Sequence, residues 1–115
     1  MSKRILIVED SAMMRKIITK TLISAGHSIV GEASSGAEAL EMYQQLAPDV
    51  VTMDITMQGM DGLTAAKEIL AVDADAKILI LSNLNEDKYR DEAEKIGVLG
   101  LINKHKSADI LALIE

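Results

Sequence analysis

Five times along this chain a short apolar run is followed by a stretch of helical period, and that alternation limits the fold more than any other feature. The apolar runs are Arg4–Val8, Ser28–Ala33, Asp49–Met53, Lys77–Leu81 and Leu99–Ile102. They are rich in Leu, Ile and Val without strict alternation, which is how strands covered on both faces read. Between the first two, Met14, Ile17, Ile18, Thr21, Leu22 and Ala25 recur on one helical stripe, with Ser11 suited to N-cap the helix and Gly26 to stop it. A second helix is expected over Ala37–Leu46, with Leu40, Tyr43 and Ala47 facing inward and Pro48 ending it. A third starts near Gly62 behind an Asp61 cap and buries Leu63, Ala66, Ile69 and Leu70. Tyr89, Ala93 and Ile96 mark a fourth, closed by Gly97, and Ile110, Leu111 and Ile114 mark a fifth. Strands that are each followed by a helix pair in parallel through right-handed crossovers. The expectation is a three-layer α/β sandwich.

Composition narrows what such a sandwich can do. With 115 residues, 49% of them hydrophobic, the chain suits one domain spanning residues 1–115 with a sizeable core. The net charge of −6 and the scattered Lys and Arg disfavour direct nucleic-acid binding, and two Tyr with no Phe or Trp offer little for base stacking. The absence of cysteine excludes disulfides, thiol catalysis and cysteine metal sites. The N-terminal MSKRILIVED has only a short apolar run before two acids, unlike a signal peptide or a membrane span. A cytoplasmic protein without membrane insertion is the expectation.

In parallel α/β sheets the ligand site lies beyond the carboxyl ends of the strands. Here those ends carry Glu9 and Asp10, then Asp54, then Ser82 and Asn83, then Asn103 and Lys104. Taken singly each residue has an ordinary explanation: Asp10 or Ser11 as a helix cap, Glu9 and Asp10 as a polar loop entry, Lys104 as a solvated lysine. Taken together they bring three acids, a hydroxyl and an ammonium to one edge. Clustered carboxylates repel one another unless a cation joins them, and an all-oxygen donor set suits Mg²⁺ rather than zinc or copper. Magnesium bound through one or two carboxylates and phosphate oxygens leaves another carboxylate free as a nucleophile toward a phosphoryl group. Mg²⁺, Lys104 and Ser82 would then stabilise the charge on the transferring group.

The motifs ILIVEDSAMMR, VVTMDITMQGMDG, ILILSN and GLINK together resemble those of the response-regulator receiver domains, and the stand-alone length resembles the chemotaxis CheY-like members. The resemblance covers essentially the whole chain. It implies a doubly wound, flavodoxin-like sheet of five parallel strands in the order 2-1-3-4-5 with five flanking helices. It further implies that Asp54 accepts a phosphoryl group from a sensor histidine kinase, with Mg²⁺ held by Asp10, Asp54 and the Thr56 backbone carbonyl, and indirectly by Glu9. Ser82 would hydrogen-bond the phosphoryl group and Lys104 would pair with it. The output would be a changed surface on the fourth helix, fifth strand and fifth helix, read by a downstream protein, with a flagellar motor switch among the candidates. On this reading the chain catalyses only its own phosphorylation and dephosphorylation.

Four positions depart from the family's usual pattern. Gln58 stands where proline is common, and His105 follows Lys104 where the family commonly has a cis-proline. Because a cis bond before a non-proline residue costs about 3 kcal/mol, either the Lys104–His105 bond is trans in a reshaped loop or strain is held there. Leu101 replaces the aromatic residue whose rotation accompanies activation, and Asn83 is bulkier than the small residue often found beside the switch hydroxyl. His105 itself reads as a solvent-exposed histidine, and the methionines, including Met13, Met14, Met53, Met57 and Met60, mainly as core filler.

Two other functions compete. A receiver-like interaction module without phosphorylation-driven switching is motivated by Leu101 and the missing prolines. A small phosphatase resembling the haloacid dehalogenases is suggested by Asp54-Ile55-Thr56, although Thr56 stands where those enzymes use a second Asp. A flavin or dinucleotide protein would fit the architecture but lacks a glycine-rich loop after the first strand.

Overall fold

The computed structural model describes residues 2–55, 61–82 and 89–114. Ten elements alternate along the chain: β1 (Arg4–Val8), α1 (Ala12–Ser24), β2 (Ser28–Ala33), α2 (Gly36–Leu46), β3 (Val50–Asp54), α3 (Gly62–Val72), β4 (Ile78–Ser82), α4 (Arg90–Ile96), β5 (Gly100–Asn103) and α5 (Ser107–Ile114). The strands pair in parallel in the order β2-β1-β3-β4-β5. The expected fold class and strand order are therefore both observed. The order reverses between β1 and β3, which places the crevice for a ligand at the ends of those two strands.

Successive strand residues point to opposite faces, and both faces are filled. Leu6, Val8, Val51, Met53, Ile78 and Ile80 pack with Tyr43 of α2, Leu63 and Ile69 of α3 and Ala93 of α4. Ile5, Ile7, Val50, Leu79 and Leu81 pack with Met14, Ile18 and Leu22 of α1 and Ile110 and Ile114 of α5. This is why β1, β3 and β4 read as unbroken apolar runs. Each such side chain, fully buried, contributes about 1.5–3 kcal/mol.

Helix starts follow the expected chemistry. The Ser11 and Asp61 side chains accept from the backbone N–H groups of Met14 and Thr64 at 3.2 and 2.8 Å. Ser35 caps α2, accepting from the Glu38 N–H at 3.2 Å, while the Glu38 carboxylate accepts from the Ser34 N–H and hydroxyl at 3.1 and 2.6 Å. Those bonds hold the Glu38 carboxyl below its usual range. Gly26 and Gly97 adopt φ of 94° and 91°, the left-handed conformation that ends a helix. Among the described residues no helix is long and apolar enough to cross a membrane.

The structure corrects several expected details. β3, β4 and β5 each begin and end one residue later than the apolar runs suggested, so Asp54, Ser82 and Asn103, expected at the strand ends, are the last residues of their strands. Backbone pairing is indifferent to side-chain polarity, and it continues past the last apolar residue. β2 is only partly buried, because as an edge strand it has one neighbour and less cover. Ile17, placed on the inner stripe of α1, is 49% exposed, since Met14, Ile18 and Leu22 alone complete the buried stripe. Ala25 and Ala47 are exposed caps, not inner-face residues. Ala47 takes φ 47°, ψ 59°, the left-handed conformation of a helix C-cap, with its N–H donating to the Tyr43 carbonyl at 2.9 Å.

Candidate functional site

The site grows from three neighbouring strand ends. The Glu9 N–H donates to the Ala33 carbonyl at 3.0 Å, so the β1–β2 pairing extends to the first acid before the chain turns into α1 at Asp10. Asp54 closes β3 opposite Leu81, and the next residue keeps the pairing, Ile55 N–H to Leu81 carbonyl at 2.9 Å. Ser82 closes β4 opposite Asn103, and the Lys104 N–H donates to the Ser82 carbonyl at 2.8 Å. Glu9, Asp54, Ser82 and Lys104 thus leave a backbone held by ladder hydrogen bonds, and Asp10 follows in the turn into α1.

These ends bring four of the expected side chains together. One carboxylate oxygen each from Glu9, Asp10 and Asp54 lies within 4.8 Å of the others. The Lys104 ammonium sits 3.4 Å from Glu9 Oε1 and 3.6 Å from Asp54 Oδ1. Glu9 and Asp54 are only 1% and 2% exposed, whereas Asp10 is exposed at the mouth. Ser82, 3% exposed, ends the neighbouring strand on the same edge. Thr56 and Asn83, also expected at the site, lie outside the described residues, as do Met57, Gln58 and Met60.

Burial makes this arrangement electrostatically tense. It raises the Glu9 carboxyl to about 7, with the adjoining Asp54 carboxyl pushing the same way and Lys104 opposing. A single lysine does not balance three carboxylates. Glu9 Oε2 is also buried without a hydrogen-bond partner among the described residues. Carboxylates gathered at a water-accessible mouth, with one oxygen left over, suit a hard divalent cation. The donor chemistry therefore fits a metal that completes the site.

Asn103, on the same edge, does other work. Asn103 accepts the His105 N–H through its side chain at 2.8 Å, shaping the turn after β5. His105 is exposed and, with no cis peptide bond among the described residues, the Lys104–His105 bond is trans in a reshaped loop. Leu101 is 3% exposed within the layer beneath α2–α4.

Gly62 is a site residue that the sequence reading used only to start α3. A Cβ there would collide with the Asp54 carbonyl oxygen and lie 2.8 Å from the Ile55 Cα, and the Gly62 N–H donates to the Ile55 carbonyl at 2.8 Å. The bare glycine lets α3 start directly against the end of β3. Its presence eight residues after Asp54, at a helix start, was the available signal.

A family model described as the response regulator receiver domain matches residues 5–115. The chain belongs to that family. It is 45% identical over 104 residues to the chemotaxis protein CheY of Thermotoga maritima, covering 90% of this chain and 87% of the relative. It is also 45% identical over 109 residues to CheY of Bacillus subtilis, covering 95% and 91% respectively. Among solved structures, the receiver domain superposes on a chain of the CheX–CheY–BeF₃–Mg²⁺ complex of Borrelia burgdorferi with a TM-score of 0.91 and 32% identity, covering 96% of this chain and 85% of that one. The response regulator domain of Thermotoga maritima CheB gives a TM-score of 0.90 at 31% identity, covering 99% and 94%. The protein is a CheY-like receiver of the two-component response-regulator class. None of these matches points to a phosphatase or a flavin protein.

Proposed function

We propose that this receiver takes a phosphoryl group on Asp54 from a phosphohistidine of a sensor histidine kinase. An Asp54 carboxylate oxygen attacks phosphorus, an O–P bond forms, and the N–P bond breaks. The electron pair returns to the imidazole, which takes up a proton. Lys104, 3.6 Å from Asp54 Oδ1, pairs with the added charge, and the Ser82 hydroxyl donates to a phosphoryl oxygen. Asp10 and Asp54, with the Thr56 carbonyl, would hold Mg²⁺ directly and Glu9 would hold it through water. When bound, that ion supplies positive charge against the equatorial oxygens of the transferring group. The chain acts in this way only on itself, in phosphorylation and dephosphorylation.

The signal then leaves through α4, β5 and α5. Added charge at Asp54 and Lys104 biases a two-state arrangement of that face, which an output protein reads. Chemotaxis is the pathway named for the two CheY relatives, which makes a flagellar motor switch one candidate output.

The observation that carries this reading is the Lys104 ammonium set between Glu9 and Asp54 beside the three-carboxylate cluster. Incubation with acetyl phosphate and Mg²⁺ should add one phosphoryl group by mass spectrometry, and Asp54→Asn should abolish it. Failure of the unsubstituted chain to be modified would overturn the proposal.

The buried Leu101 favours a second reading, in which the domain works by association alone and phosphorylation does not switch it. Titration with Mg²⁺ and beryllofluoride, a mimic of the acyl phosphate, separates the two. Spectral changes that spread from Asp54 to α4 and α5 support the switch; changes confined to the site support the interaction module.

A further inference from the structure

Asp10 is the exposed member of the acidic cluster, and it lies in the turn between the end of β1 and the start of α1. A side chain on such a turn points wherever its two flanking peptides let it. The entering flank is held by one side chain. Arg15 Nη1 donates to the Glu9 carbonyl at 2.6 Å. That carbonyl belongs to the peptide that enters Asp10, while the first-turn bond from the Arg15 N–H to the Ser11 carbonyl at 2.9 Å anchors the start of α1 whatever the side chain. With the Glu9 N–H already paired to Ala33, the Arg15 bond leaves neither polar group of the Glu9 backbone free to reorient.

The guanidinium is aimed from its other side. Arg15 Nε lies 3.5 Å from Glu32 Oε1 on the edge strand β2, and the two side chains are 22% and 47% exposed. An ion pair that exposed adds little to stability. Its consequence is geometric: the planar fork is held between a carboxylate on β2 and a carbonyl at the end of β1, a two-point hold that a flexible ammonium reproduces only in part.

We propose that Arg15, oriented by Glu32, is the positioning residue that fixes the Asp10 carboxylate for metal binding. This rests on the metal-holding role given to Asp10 above. Arg15 touches no reacting atom in this role and acts through the peptide that enters Asp10. Outer residues that orient a metal ligand commonly change affinity by about 10–100-fold when removed.

The test uses the full chain and its Arg15→Gln, Arg15→Lys and Glu32→Gln variants. Each is titrated with MgCl₂ under two-dimensional amide NMR, with thermal midpoints and metal-free backbone order parameters measured in parallel. Arg15→Gln should weaken Mg²⁺ binding by about tenfold and lower the order of the Asp10 amide, with little change in midpoint. Arg15→Lys should recover part of the affinity, and Glu32→Gln should lose less than Arg15→Gln. Mg²⁺ affinity in Arg15→Gln within about twofold of the parent overturns the inference, whether or not the midpoint falls. If the parent itself binds no Mg²⁺, the metal reading of the site fails separately. The metal-free Asp10 amide then decides for Arg15: lowered order in Arg15→Gln upholds its hold on Asp10, and unchanged order overturns it.

Discussion

The two ends of the sheet are built to different standards. At the end where the strands begin, Arg4 and Tyr43 find partners at short range. Arg4 donates from its guanidinium to the Ala47 and Leu46 carbonyls at 2.8 and 2.9 Å, and its N–H reaches the Asp49 carboxylate at 2.8 Å. The Tyr43 hydroxyl, in the helix layer at that end, donates to Asp73 at 2.6 Å; burial first and then this bond push the hydroxyl well above its usual range, so it stays a donor. At the end where the strands finish, Lys104 meets two buried carboxylates at 3.4 and 3.6 Å, and Glu9 Oε2 has no hydrogen-bond partner among the described residues. Arg4 and Tyr43 find their partners within the protein, while the other end is left for a cation and a phosphoryl group. Tension of this kind concentrates where chemistry is done.

The largest test of that contrast is Gly62→Ala. With the Asp54 carbonyl and the Ile55 Cα in the way, α3 must move or β3 must bend. The expected cost is about 2–3 kcal/mol in denaturant unfolding, together with slower modification by acetyl phosphate.

The next effect depends on pH. Folded Glu9 holds its proton up to about 7, against 4.5 for the free group, so between those values the folded state binds more protons than the unfolded state. Its stabilising contribution is complete below 4.5 and is lost as pH rises through 7. Without divalent cations, thermal melts should show about 1–3 kcal/mol of stability lost across that window, and Glu9→Gln should flatten the slope. Excess Mg²⁺ should flatten it too, by favouring the ionised cluster.

At the opposite end the effects should be smaller and should leave phosphorylation alone. Tyr43→Phe removes the bond to Asp73 and should cost about 1–2 kcal/mol, with the rate of modification by acetyl phosphate unchanged. Ala47→Gly relieves a left-handed alanine at φ 47° but adds freedom to the unfolded chain. The net gain should be about 0.5 kcal/mol, read as a small rise in midpoint. A loss of phosphorylation in either variant would break the separation between the two ends.

The alternation of runs was enough to place every element, because a strand covered on both faces cannot hide its apolar character. Strand ends were harder to read. The apolar runs stop one residue short of Asp54 and Ser82, yet the ladder carries both. Ile17 looked like core because helical spacing marks a stripe without marking its width. Gly62 was legible as a helix start and not as a close approach, which is a distance between two elements. Arg15 carried no signal, since its hold on Glu9 and Glu32 depends on how α1 leans on the sheet.

By itself the sequence determined the parallel α/β sandwich, the acids at the ends of β1 and β3, and the hydroxyl and lysine at β4 and β5. Periodicity and strand polarity are local, and a parallel sheet sends all strand ends of one kind to one edge. Only the tertiary structure decided that Lys104, 95 residues from Glu9, reaches it and Asp54 together. Burial at the centre of the sheet, which no local pattern states, also decided that Glu9 holds its proton to about 7. Pairing and desolvation are properties of the assembled edge, and they exist only once the strands stand side by side.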